Sequence, residues 1–390
     1  MTTPTPQSIR NHFQKAYGSA PAVIARAPGR VEFIGNHTDY NGGAVLGAAI
    51  DRNVWVAAAV NAQGRLRLFS VGGKSVLELP SDPGTKLTGA HSWANYPLGV
   101  WRSLKDLGLP WPAGFDLLVD SDLPPGAGLS SSAALELSTA LALLKLAGKS
   151  DLPLDQLAAL GRHAENKYVG MPCGILDQGT SAHGRAGHLV HIDCRGPVFS
   201  RVPFPANAHL WIFNTHEKHA LVDGFYAARN KECLDAAKAL GVALLADLTP
   251  AQLAAKGGVL PPVLAKRAKH IVEEHARVHD TVEALQRDDL AAVGRLLTAS
   301  HRSSQHLFEN STPALDELVD LLTQHPAVLG ARLTGGGFGG AVMALTKDNF
   351  TARDAEGIVA AYRAKHGRPA EVIHLRAADG ATVVQHHRET

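Results

Sequence analysis

Apolar residues recur along this chain with two periods, and the periods alternate. Residues 7–17 carry apolar side chains at helical spacing and predict an amphipathic helix. Ala22–Ala27 predicts a short strand. Residues 45–60 and 65–79 alternate or run apolar and predict strands joined by an Asn61-Ala-Gln-Gly64 turn. His91–Leu107 predicts a helix and Ala113–Asp120 a strand. Ala133–Leu146 is an unbroken run of helix formers, apolar on most faces, and predicts a buried helix. Leu154–Val169 predicts another helix and Gly187–Asp193 a strand. Cys194–Ala208 holds three prolines and a glycine and is the expected domain boundary.

The second half predicts a strand over His209–Asn214 and a polar turn over 216–223. Helices are expected over 225–240, 262–287, 289–306, 313–325 and Ala352–Lys365. Strands are expected over Val328–Leu333, Ala341–Leu345 and Ala370–Leu375. Strands and helices mixed in this way predict an α+β layer structure. With 390 residues, the chain has room for two domains, expected at 1–200 and 201–390.

Composition narrows the partners. The net charge is +2, with 19% charged residues and no basic block, so nothing points to nucleic acid or to an anionic membrane. The N-terminus, MTTPTPQSIRNHF, has no apolar signal core, and no stretch reaches membrane-spanning length. Cys173, Cys194 and Cys233 are far apart and read as reduced thiols. A cytoplasmic, monomeric protein is expected. Of the 20 histidines, His275 and His279 are spaced by one helical turn, but no HExxH surrounds them. A solvated helix face is the expected role.

Leu123-Pro-Pro-Gly-Ala-Gly-Leu-Ser-Ser-Ser-Ala-Ala-Leu135 links a predicted strand to the buried helix. Gly126 and Gly128 remove side chains, so backbone N–H groups can converge. Ser130, Ser131 and Ser132 put hydroxyls at the helix entrance. A helix N-terminus has unpaired N–H groups and a positive dipole end, so the loop suits a polyphosphate with its metal. The plainer reading is a glycine-rich turn with a serine N-cap.

Pro28–Gly43 (PGRVEFIGNHTDYNGG) is dense in polar groups. Arg30, Asn36, His37 and Asp39 form a reasonable set for holding sugar hydroxyls. An ordinary Asn-Gly loop is the alternative. Trp93 and Tyr96 lie three apart on one helix face and either pack in the core or stack on a flat ring. Glu165 falls near a helix C-terminus, where a carboxylate is unfavourable unless a cation answers it. Asp177 lies among small and apolar neighbours, as a cap or a site residue.

Two other matches fail. Gly335–Gly340 fits G-x-G-x-x-G, but a strand follows it where a dinucleotide fold needs a helix. Gly73-Lys74-Ser75 and Gly148-Lys149-Ser150 lack the earlier P-loop glycine, having Leu68 and Leu143 in its place. No G-x-S-x-G or Cys–His spacing supports acyl transfer.

Three segments stand together: PGRVEFIGNHTDYNGG (28–43), LPPGAGLSSSAAL (123–135) and LTGGGFGGAVMAL (333–345). In that order they resemble the three motifs of the GHMP small-molecule kinases, and the first resembles the galactokinase pattern GRVNLIGEHTDYNGG. WANY (93–96), AENKYVGMPCGILDQ (164–178) and IFNTHEKHALVDGFYAARNKEC (212–233) extend the resemblance over most of the chain.

The resemblance implies a two-domain fold, an N-terminal α/β domain and a C-terminal ferredoxin-like domain, with the active site between them. It implies ATP and Mg²⁺, and transfer to the anomeric hydroxyl of a galactose-like sugar. By position it implies that the serine-rich loop wraps the phosphates, with Ser132 and Glu165 as Mg²⁺ ligands. Gly335, Gly336 and Gly337 would approach the nucleotide, with Trp93 and Tyr96 near adenine. Asp177 would be the catalytic aspartate beside Arg30, acting as a base or as an orienting charge. His37, Asp39, Gly174 and Tyr226 would contact the sugar, and Asn36 would stand near C6.

The first motif departs twice from the family pattern: Glu32 replaces the usual Asn, and Asn36 the usual Glu. An amide facing the sugar would tolerate changes at C6, unless Glu32 compensates. The alternatives are a GHMP kinase for a modified galactose and a non-catalytic sugar sensor. Ser131-Ser132-Ala133, Glu165, Asp177 and Arg30 argue against the sensor.

Overall fold

The computed structural model describes residues 3–386 apart from 82, 125, 150 and 219–221. In chain order its first half contains α1 (Pro6–Tyr17), β1 (Val23–Ile34), β2 (Ala44–Val60), β3 (Leu66–Ser70), β4 (Leu77–Leu79), α2 (Asn95–Asp106), β5 (Phe115–Ser121), α3 (Ser131–Leu146), α4 (Leu154–Ala164), α5 (Leu176–His183), β6 (His188–Asp193) and β7 (Val198–Pro203). The second half contains β8 (Ala208–Lys218), α6 (Val222–Leu240), α7 (Pro250–Lys256), α8 (Pro262–Gln286), α9 (Leu290–Ser303), α10 (Pro313–Thr323), β9 (Val328–Thr334), β10 (Gly339–Lys347), α11 (Ala352–His366), β11 (Glu371–Leu375) and β12 (Thr382–His386).

Two sheets result, and the fold is α+β. The first runs β12-β1-β2-β5-β3-β4, and β6 and β7 branch from β2. β2 serves two partners: Val54–Val60 pairs with β5, and Ala44–Gly47 with β6. Side chains of β1 and β2 alternate between two faces, as the period of a strand requires. Val23, Ala25, Val54, Val56 and Ala58 join the main core, while Ile24, Trp55 and Ala57 pack with Ile9 and Phe13 of α1.

The second sheet is antiparallel and runs β11-β8-β10-β9. Its chain order is strand, helices, two strands, helix, strand, the ferredoxin-like arrangement. Arg332 of β9 is fully buried and reaches back to β1, where its guanidinium meets Glu32 Oε1 at 2.8 Å and the Glu32 and Phe33 carbonyls at 3.0 and 3.2 Å. One side chain thus ties the sheets together beside the site.

Several elements differ from expectation. β1 does not stop at Ala27 but continues to Ile34, carrying the first half of the polar motif. Val31 and Phe33 enter the core while Arg30 and Glu32 face the other way, so the polar density there is one face of a strand. The 65–79 stretch is two strands around a turn in which Gly72 takes φ 87°. The expected boundary at 194–208 contains β7, paired along its length with β6. The chain does not finish at β11: β12 returns to cover the edge of β1, as exposed edges invite. The short helices α5 and α7 were not foreseen. The expected turn over 216–223 lies partly outside the described residues, beyond the end of β8 at Lys218.

Candidate active site

The serine-rich loop, the β1 motif and the glycine-rich turn before β10 meet in one cleft. Its wider part is a groove of about 640 Å³ lined by Tyr96, Gly126 to Ser132, Glu165, Glu217 and Thr334 to Gly340. Its deeper part is a cavity of about 170 Å³ lined by Glu32, Asn36, His37, Asp39, Cys173, Gly174, Asp177 and Tyr226. Arg30, Glu165, Met171, Gly335 and Gly336 line both.

The groove is built from backbone. Gly126 and Gly128 take φ of 76° and 68°, and Gly335 and Gly337 of 77° and 79°, conformations that glycine reaches without cost. A Cβ on Gly337 would also strike the Asn310 carbonyl. Ser130 adopts φ 53° immediately before α3. A capping serine would turn its oxygen onto the helix amides, but Ser130 makes no such bond. Its hydroxyl donates to Asp177 Oδ2 at 2.5 Å instead. The first amides of α3 therefore keep their positive end toward the groove.

Asp177 sits in the first turn of α5. Arg30 Nε and Nη2 reach its Oδ1 at 2.7 and 2.5 Å, and Arg30 Nη1 donates to the Gly128 carbonyl at 2.6 Å. One guanidinium thus joins the aspartate of the cavity to the loop of the groove. Two donors on one carboxylate oxygen and a hydroxyl on the other hold Asp177 in a fixed orientation.

Glu165 does not end a regular helix. α4 closes at Ala164, and a π turn over Glu165–Val169 follows. Such bulges often mark functional positions. Burial, followed by the Asp177 charge, raises the Glu165 carboxyl above its ordinary range, and a hydrogen bond with Ser132 opposes that shift. Gln178 Nε2 donates to Glu165 Oε2 at 2.6 Å and to Glu136 Oε2 at 2.9 Å. Glu136 is fully buried, its Oε1 has no partner among the described residues, and burial pushes its carboxyl far up. A carboxylate raised by its surroundings at the groove wall suits a hard cation held mainly by phosphate oxygens and water. No cluster of three or more His, Cys, Asp or Glu side chains is placed to hold a metal alone among the described residues.

In the cavity, Asp39 is pushed up to about 7 by burial and then by the Glu32 and Asp177 carboxylates. Gly174 lies against it, and a Cβ there would collide with the carboxylate. Tyr226 packs against His37, with ring centres 4.9 Å apart and the planes tilted by 38°. His37 is neutral, lowered to about 3 by burial. Its Nε2–H donates to the Gly336 carbonyl at 2.9 Å, so its Nδ1 accepts from Tyr40 at 2.8 Å. Both ring nitrogens are therefore engaged, and His37 borders the cavity while holding the glycine turn.

Asn36 is corrected in the same way. Its Nδ2 donates to Glu32 Oε1 and the Gly335 carbonyl, both at 2.8 Å. Its Oδ1 accepts from Asn310 at 2.8 Å and Ser304 at 3.3 Å. The looser C6 site expected from an amide facing the sugar loses its basis, because this amide is spent inside the protein. Trp93 is not among the residues lining the groove. It stands in a 3₁₀ turn over Gly89–Ala94 and packs on the main core, while Tyr96 opens α2 and lines the groove. His275 is not a solvated side chain, since its Nδ1 accepts from the Ala44 amide at 3.0 Å. Glu32, noted in the sequence only as a departure from the family pattern that could compensate for Asn36, lines the cavity. Gln178, Glu136 and Asn310 were not singled out from the sequence, and nothing local flags them.

A family model for the galactokinase galactose-binding signature matches residues 11–60. Models for the N-terminal and C-terminal GHMP kinase domains match 95–185 and 281–365. The chain is 37% identical to the galactokinase of Chloroflexus aurantiacus over 377 residues, 95% of this chain and 96% of the relative. The chain belongs to the galactokinase family. Membership makes it a kinase that uses ATP. A galactokinase of Actinobacillus pleuropneumoniae is 39% identical over 352 residues, covering 88% and 90% of the two chains. The crystal structure of Lactococcus lactis galactokinase complexed with galactose superimposes with a TM-score of 0.91 at 30% identity, over 96% of this chain and 99% of that one. The Methanococcus jannaschii mevalonate kinase shares the fold, with a TM-score of 0.65 at 20% identity. Among the described residues no helix is long and apolar enough to cross a membrane.

Proposed function

We propose that this kinase transfers the terminal phosphoryl group of ATP to the anomeric hydroxyl of galactose, giving galactose 1-phosphate and ADP. The observation that carries the reading is the junction of the two parts of the cleft. There Asp177, oriented by Arg30 and Ser130, faces the cavity, while Arg30 also reaches the loop of the groove.

Phosphoryl transfer needs alignment and charge neutralisation more than covalent help. The α3 N-terminus and the amides of Gly126 to Ser132 receive the phosphates. Gly335 to Gly337 let the backbone come close to them, and Tyr96 borders the base. Ser132 and Glu165 would hold Mg²⁺, which neutralises phosphate charge when bound. Asp177 orients the attacking hydroxyl and accepts its proton as the bond forms. Arg30 stabilises the charge that develops on the transferring group. Asp39 and Tyr226 hold other hydroxyls of the sugar, and Gly174 makes room for Asp39. The test is ADP release from ATP and Mg²⁺ over a panel of hexoses. Turnover with galactose well above glucose and mannose is expected. Release with no hexose would return the sensor reading, and preference for a C6-modified galactose would return the other alternative.

A further inference from the structure

Glu32 belongs to none of the roles above, yet its geometry is that of a binding group. It lies on β1, 4% exposed, in the wall of the cavity. One oxygen is fully used: Oε1 takes Arg332 Nη2 at 2.8 Å and Asn36 Nδ2 at 2.8 Å. The other, Oε2, accepts no hydrogen bond from the described residues, and it is not among the atoms sealed off from solvent: Glu32 lines the cavity, so this acceptor is open to it.

The surroundings prevent the side chain from turning away to find a donor. Arg332 is fully buried and has no other carboxylate partner among the described residues. Asn36 is itself held by Gly335, Asn310 and Ser304. Glu32 is also near enough to Asp39 to raise its pKa. The cavity is therefore the side from which Oε2 is free to take a donor.

We infer that Glu32 is a sugar-binding residue of this chain: Oε2 accepts a hydrogen bond from a galactose hydroxyl other than the reacting one at C1. The inference rests on the galactose reading above. The two carboxylates are held apart by different partners: Asp177 is fixed by Arg30 and Ser130 for the reacting hydroxyl, whereas Glu32 is fixed by Arg332 and Asn36 and so meets a different one. Asn36 and Arg332 are positioning residues: they fix Oε1 and so aim Oε2. The chain thus carries a carboxylate at this wall on β1, four residues before the Asn36 amide.

The experiment is a scan of galactose, its 3-, 4- and 6-deoxy forms and the matching deoxyfluoro sugars against wild type and Glu32→Gln. Binding is read by calorimetry and turnover by kcat and KM. A carboxylate oxygen needs a donor and repels fluorine, whereas the amide of glutamine can donate to fluorine. Glu32→Gln should raise galactose KM by about 10- to 100-fold, the range for losing a charged hydrogen bond. kcat should change little, because the contact is the same in ground and transition states. At one of C3, C4 or C6 the fluoro-to-hydroxy ratio of kcat/KM should rise at least about tenfold in the variant, and calorimetry should show the same inversion. If all the sugars weaken in parallel, Glu32 is structural and the inference fails. If wild type turns over no hexose, the galactose reading fails instead. Should Glu32→Gln not fold because Arg332 loses its partner, Glu32→Gln with Arg332→Gln removes both charges together and is scored on the same ratio.

Discussion

The two parts of the cleft are made of different material. The groove is lined by backbone: six glycines at positive φ, the first turn of α3 and a serine whose hydroxyl looks away from the helix. The cavity is lined by side chains from β1, the turn after it, the segment before α5, and α6. Phosphates are large anions that accept hydrogen bonds on every side, so converging amides suffice. A sugar presents hydroxyls whose directions differ between epimers, so each needs its own oriented partner. The result is a cavity in which Glu32 and Asp177 both act on the charge of Asp39. In the function proposed above, sugar recognition comes from crowding acids together, at a cost to the fold.

The largest effect that would sharpen this contrast lies where the two parts meet. Asp177→Asn keeps the size of the side chain but can neither take a proton nor face Arg30 as an anion. We expect kcat to fall by about 10²- to 10⁴-fold with the fold intact by circular dichroism. A kcat within a few-fold of wild type would make Asp177 a structural residue.

Next comes a pair of glycines, one from each part. Gly174→Ala drives a methyl into the Asp39 carboxylate, so galactose KM should rise at least about tenfold while ATP KM stays near wild type. Gly335→Ala makes only an ordinary van der Waals contact, with the Gly128 carbonyl 3.7 Å away, but strains a φ of 77°. Left-handed strain costs about 1–2 kcal/mol there, and ATP KM should carry the change. Substitutions that shift both constants alike would erase the division between backbone and side-chain recognition.

Glu165→Gln is the third. A carboxylate offers a hard cation a full charge and an amide only a dipole. The Mg²⁺ concentration for half-maximal rate should rise several-fold, with galactose KM unchanged, and Mn²⁺ binding followed by paramagnetic resonance should weaken in parallel. Coincident titrations of variant and wild type would leave Glu165 as a partner of Gln178 only.

How much of this contrast could be read beforehand follows from the same difference in material. Backbone recognition is written locally. Two glycines and three serines between a strand and a buried helix marked the loop as a candidate beside the plainer reading of a capped turn, and Gly335 to Gly337 joined it only through the family resemblance. Side-chain recognition is written non-locally. Arg30 and Asp177 were identified individually, yet their contact spans 147 positions. Asn36 looked like a sugar contact until Asn310, Ser304 and the Gly335 carbonyl were found to occupy it. Glu32 looked like a departure from a pattern until Arg332, 300 residues away, was found to aim it. The π turn that carries Glu165 has no periodicity of its own, and β12 is a short edge strand whose partner lies at the other end of the chain.

The smallest effect tests the cost of crowding. Asp39 keeps its proton to about pH 7 in the fold, while in the unfolded chain it loses it near the ordinary 3.8. Between those values the folded state binds the extra proton, so its stability falls as pH rises, and above pH 7 the full penalty is present. Asp39→Asn carries no such penalty. Its melting temperature should exceed that of wild type at pH 8, and the gap should shrink as pH falls from 7 toward 4. Galactose kcat/KM of wild type should rise with pH through about 7, as the ionised form gains its second acceptor for hydroxyls. A gap that is constant with pH would show that Asp39 titrates normally.

The most direct measurement of the central claim is ³¹P and proton NMR of the product formed from ATP and galactose. The account places the attacking hydroxyl at Asp177, between the cavity that holds the ring and the groove that holds the phosphates. It predicts a single phosphate resonance coupled to the anomeric proton, with no other phosphorylated sugar. A phosphate coupled to the C6 protons, or to any ring proton other than H1, would contradict it.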